Sequence, residues 1–152
     1  MIVDGAEVSA RAWLELTKWR YERMGFVATL MDEGGETHGG GGASASGGTT
    51  GDPTARKAMG RMEQDARLSW EYQRLERDIG QALGVIDGAR RALGDQYAET
   101  VDAYYLTDRR VTWEDVAELM GCSVRTCHRR CDVFCDWLED VGIDGAIEGR
   151  FV

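Results

Sequence analysis

The sequence predicts an all-α protein. Three observations carry that expectation: Pro53 is the only proline in 152 residues, no run of alternating β-branched residues is bounded by turns, and apolar residues recur at spacings of three and four. The architecture expected is a long N-terminal helical hairpin or coiled-coil-like part, followed by a C-terminal domain of shorter helices.

Residues 1–33 form the first segment, an amphipathic helix from about Ser9, a suitable N-cap, to about Met31. Trp13, Leu16, Trp19, Phe26, Val27 and Leu30 project into one broad sector, with Arg11, Glu15, Lys18 and Glu22 largely opposite. Residues 34–51, "GGETHGGGGASASGGTTG", hold no large apolar side chain and read as a flexible Gly/Ser/Thr-rich linker. They lack the lysine and the preceding strand that a phosphate-cradling loop needs.

The third segment, 52–92, opens with Asp52 as N-cap and Pro53 at the first helical position, where a missing N–H costs nothing. Leu68, Tyr72, Leu75, Ile79, Ala82 and Ile86 then mark a short heptad-like seam. A helix of that length can fold back on the first or pair with a second copy of itself. Gly80, Gly84 and Gly88 are candidate interruptions. Residues 93–141 carry three shorter helices, and 142–152, "GIDGAIEGRFV" after Val141, read as a glycine-broken, flexible tail.

The chemistry gathers in "TWEDVAELMGCSVRTCHRRC". Thr112 begins one short helix, with Asp115 three residues on as a near match to a capping box, and Ser123 caps the next. Ala117 allows close approach, Gly121 permits a tight turn, and Val116, Met120, Cys122 and Cys127 supply the contacts of a helix-turn-helix. With Cys127 at the centre of the buried side, Cys131, Phe134 and Leu138 fall within about 40° at 100° per residue. Arg125 and Arg129 point away, Thr126 and His128 flank them, and with Arg130 they leave the exposed face of the first two turns without an acid; Asp132 and Asp136 come later. A groove-reading helix contacts bases through its N-terminal residues, which suits this charge order. Cys127, Cys131 and His128 could share a metal. The lack of a Cys-x-x-Cys pair and the need for apolar groups at 127 and 131 favour buried cysteines instead, and four-residue helical spacing seldom suits a disulfide. The redox sensitivity of Cys135 is open.

"TWEDVAELMGCSVRTCHRRCDVFCDWL" resembles the fourth-region helix-turn-helix of sigma factors, and the chain is similar to phage late-gene regulators of the RinA and ArpU type. "YYLTDRRVTWEDVA" and "GDPTARKAM" are similar to the lead-in and to the Asp-Pro-Thr-Ala motif of those phage proteins. The resemblance covers the C-terminal third and touches the middle at one motif; cysteines replace the usual aliphatics. It implies that Ser123, Arg125, Thr126, His128 and Arg129 face the groove, and that Arg109, Arg110, Thr112 and Arg130 contact phosphates. It further implies a phage or prophage regulator, an activator in expectation, with double-stranded promoter DNA and possible host RNA polymerase as partners, and a homo-oligomer formed through the long helices.

Bulk properties bound the alternatives. A net charge of −9 argues against non-specific coating of nucleic acid while leaving room for a local basic face. No apolar run reaches the roughly 18 residues of a membrane span, so no membrane partner is expected. The N-terminus lacks the pattern of a secretory signal, and a cytoplasmic protein is the expectation. His38 and His128 offer no nucleophile–base pair, so an enzyme is not expected, no catalytic residue is assigned, and neither a cofactor nor a metal is anticipated. The competing readings are a phage small terminase subunit, although its DNA-binding module usually lies at the N-terminus, and a helical adaptor that does not bind DNA.

Overall fold

The computed structural model describes residues 1–36 and 53–151, and over these the protein is all-α apart from one two-residue hairpin. The linker from residue 37 onward and the Asp52 cap lie outside the described residues. In chain order the elements are β1 (Ile2–Val3), β2 (Ala6–Glu7), α1 (Ala10–Glu36), α2 (Pro53–Ala92), α3 (Asp95–Tyr105), α4 (Trp113–Met120) and α5 (Val124–Ile147).

β1 pairs antiparallel with β2, Ile2 opposite Glu7 and Val3 opposite Ala6. Asp4 and Gly5 turn the chain with φ of 51° and 81°, the left-handed pair that matches the twist of a two-residue hairpin. Ser9 then caps α1, its Oγ accepting from Ala12 N at 3.1 Å. A second cap comes from far along the chain: Ala10 N donates to Glu139 Oε1 of α5 at 3.2 Å.

The chain divides into two compact units, Met1–Glu22 with Arg77–Val152, and Arg23–Glu76. In the first, one core takes Ala10, Trp13 and Leu14 from α1, Ala82, Val85, Ile86 and Ala89 from α2, Ala98, Val101 and Tyr105 from α3, and Phe134, Trp137, Leu138, Ile143 and Ala146 from α5. A smaller cluster of Val116, Ala117 and Cys127 joins α4 to the start of α5. In the second unit Val27 and Leu75 are buried. There Arg23 grips Glu71 through two hydrogen bonds of 2.6 and 3.1 Å, which hold the Glu71 carboxyl below its ordinary range.

Three expectations need correction. The apolar sector of α1 splits, since Trp13 and Val27 are buried while Trp19 and Phe26 are exposed. Between Ala10 and Thr17 the buried edge runs through Ala10, Trp13, Leu14 and Thr17, one step around the helix from the expected sector. α1 also continues to Glu36, beyond the glycines expected to start the linker. Finally, the chain beyond Val141 is no loose tail. Gly142 breaks α5 with φ 73° and ψ 172°, and the helical turn after it buries Ile143, Gly145 and Ala146. Trp137 Nε1 donates to Arg150 O at 2.8 Å, and Arg91 Nη2 to Ile147 O at 2.8 Å.

Gly80, Gly84 and Gly88 do not interrupt α2. Gly88 instead admits the returning chain, because a Cβ there would overlap the carbonyl oxygen of Ala146.

Candidate nucleic-acid interface

α4, a three-residue turn and the first half of α5 build the candidate site. Thr112 starts α4 with a full capping box: Thr112 Oγ1 accepts from Asp115 N at 3.2 Å, and Asp115 Oδ2 accepts from Thr112 N at 2.9 Å. Two orphan donors are thus satisfied at once. α4 ends at Gly121, whose φ of 66° carries the chain through the left-handed region. Ser123 restarts it, its Oγ accepting from Thr126 N at 3.1 Å.

The cap places the following residues by helical geometry. Arg125, His128 and Arg129 are exposed and Thr126 is half-buried; with Asp132 they line one open depression. Neither Arg125 nor Arg129 has a side-chain partner among the described residues. Asp132, the first acid along this face, is bound by Arg11 of α1 at 2.6 Å. Its charge is therefore offset where it would otherwise oppose an approaching anion. Arg109 and Arg110 stand exposed in the loop before α4, near its exposed Thr112 cap.

Arg130 departs from the expected group. It is half-buried, and its Nη1 reaches Thr100 Oγ1 of α3 at 3.4 Å and Cys122 Sγ at 3.7 Å. The residue lies about 100° around the helix from Arg129, and its long side chain follows the flank inward. It braces the turn; a phosphate contact by Arg130 is not what this conformation offers.

Tyr104, Trp113, Arg11 and Lys18 also belong to the site, though none is among the residues that the sequence assigns to it. Trp113 stacks on Tyr104 with centroids 3.9 Å apart and meets His128 edge-to-face with centroids 5.0 Å apart, which positions the imidazole. Lys18 covers the other side of this group, donating to Tyr104 O at 2.8 Å with its Nζ 4.0 Å from the Tyr104 ring centroid. Helical periodicity places Arg11 and Lys18 on an outward face, because local pattern gives no sign of partners so far along the chain. The aromatic lead-in around Tyr104 and Trp113 was the one available clue.

All four cysteines are free. Cys127 and Cys131 are buried as expected, and Cys135 is buried with them. Burial and the hydrogen bond with Cys122 push Cys127 up to about 11. The hydrogen bond with Cys131, then burial, raise Cys135 well above the ordinary thiol range. That same bond, against burial and with help from Arg11 and the Tyr105 hydroxyl, draws Cys131 down to about 7. No group of three or more His, Cys, Asp or Glu among the described residues is arranged to hold a metal ion, and no described helix is long and apolar enough to cross a membrane.

No family model, curated protein or solved structure matches the chain.

Proposed function

We propose that the protein is a DNA-binding transcriptional regulator that lays the first two turns of α5 in the major groove of promoter DNA. The observation that supports this most is the state of Arg125 and Arg129. They stand one helical turn apart on an exposed face, without side-chain partners among the described residues, immediately after a capped helix start. The nearest acid on that face is held by Arg11. Guanidinium groups so placed can read guanine edges bidentately, while Ser123, Thr126 and His128 offer donors and acceptors beside them. Arg109, Arg110 and the Thr112 hydroxyl are the phosphate-contacting groups in this reading, with backbone contacts setting register.

From the resemblance, the regulator is of phage or prophage origin and acts as an activator, with host RNA polymerase as a second partner. One such module binds weakly, so the reading includes a homo-oligomer. Exposed Phe26, Met59, Met62 and Trp70 in the second unit supply apolar surface for it.

Footprinting on the promoter regions beside the gene tests the reading, with Arg125→Ala/Arg129→Ala alongside wild type. The double variant is expected to keep its helical circular dichroism and lose the discrete footprint, each bidentate contact being worth about 1–3 kcal/mol. A footprint unchanged in the variant, or no specific protection by wild type even at low salt, overturns groove reading by α5.

A further inference from the structure

The turn of the candidate site holds a second chemistry. Cys122, in the turn after α4, and Cys127, in the first turns of α5, have their sulfurs 3.4 Å apart. Cys122 is half-buried and Cys127 buried. A disulfide needs about 2.05 Å between sulfurs, so the pair is roughly 1.4 Å short of bonding distance. The backbone at Cys122 is outside both helices and follows Gly121, around which a side chain would meet nothing within 4 Å. Closing the gap takes a shift of that segment, whose Cys122 N–H donates to Ala117 O at 3.0 Å.

The contrast with Cys131 and Cys135 sharpens the point. Those two lie four residues apart on one continuous helix, where Cβ atoms are about 5–6 Å apart, beyond the roughly 3.5–4.5 Å that a disulfide spans. Only the Cys122–Cys127 pair joins a helix to a residue that lies outside the helices.

We propose that Cys122 and Cys127 form a redox-responsive pair that a peroxide closes to an intramolecular disulfide, pinning the turn to the start of α5. The more accessible thiol reacts first: the Cys122 sulfur attacks one oxygen of the peroxide and becomes a sulfenic acid, and the other oxygen leaves as water. The Cys127 sulfur then displaces the sulfenic hydroxyl, which leaves as a second water as the S–S bond forms. Two thiols and one hydrogen peroxide thus give one disulfide and two waters. Burial keeps Cys127 protonated at neutral pH, consistent with Cys122 as the first target. Closure draws Cys122 away from Arg130, which now donates to its sulfur, and shifts the Ser123 cap on which the groove-facing residues depend. The consequence for DNA rests on the function proposed above; the bond itself does not.

Treatment of the full chain with hydrogen peroxide, followed by mass spectrometry without reduction, tests the pair. The expected result is a loss of about 2 Da for the two hydrogens, reversed by dithiothreitol. Trypsin is expected to leave the peptides 111–125 and 126–129 joined, and Cys122→Ser to abolish that link. Cys122 advancing to sulfinic acid while Cys127 stays alkylatable, or a disulfide mapping to Cys131 and Cys135, overturns the proposal. Footprinting of both redox states follows. A footprint lost on oxidation in wild type and retained in Cys122→Ser supports control of DNA binding, and a cross-linked protein with an unchanged footprint overturns that control. A cross-link in a protein that gives no footprint in either state sinks the DNA reading while leaving the pair intact.

Discussion

Thr112 shows how much one hydroxyl does. It closes a capping box with Asp115, and in the proposed complex it also stands where a phosphate passes. Thr112→Ala is expected to lower stability by about 1 kcal/mol, measured by urea unfolding, while Thr112→Ser restores both the cap and the hydroxyl. The caps at Ser9, Thr112 and Ser123 were legible because each is a local rule: a short polar side chain just before an apolar periodic run. Arg130 was not, because its backbone position leaves two directions open to a long side chain and only Thr100 and Cys122 decide between them. The same holds for Arg11 and Lys18. Their partners Asp132 and Tyr104 lie 121 and 86 residues away, where no pattern along one helix can find them.

At the scale of elements, the seam from Leu68 to Ile86 and the short helices around Gly121 followed from periodicity and turn chemistry. The hairpin at the N-terminus did not. Two residues per strand are too few for alternation to register, and the Asp4-Gly5 turn was the only signal. The glycines of α2 were ambiguous for a related reason: a helical glycine is a weakness or a contact depending on what arrives beside it. Gly80 meets nothing and Gly88 meets the backbone of Ala146. Gly80→Ala is therefore expected to raise stability by about 0.5–1 kcal/mol. Gly88→Ala is expected to lower it by at least about 2 kcal/mol through overpacking. Thermal unfolding of the two variants beside wild type checks both signs, and equal shifts would contradict the close approach at Gly88.

For the whole molecule, net charge and the proposed DNA binding pull in opposite directions. The chain carries −9 overall, yet Arg109, Arg110, Arg125 and Arg129 cluster around one module without side-chain partners among the described residues. A duplex is then attracted over a small area and repelled elsewhere, which favours specific contact over sliding adhesion. With Arg109 and Arg110 on phosphates, the logarithm of affinity is expected to fall with the logarithm of salt concentration at a slope of about −2 per copy. A titration by fluorescence anisotropy from low to moderate salt measures it, and a slope near zero would count against the interface. The first turn of α1 is capped by Glu139, 129 residues downstream, and Trp13 and Leu14 share a core with Phe134 and Leu138. During synthesis those early side chains wait, uncovered, until α5 has emerged from the ribosome. Contacts of such high sequence separation are expected to slow folding relative to a helical chain held by local contacts alone.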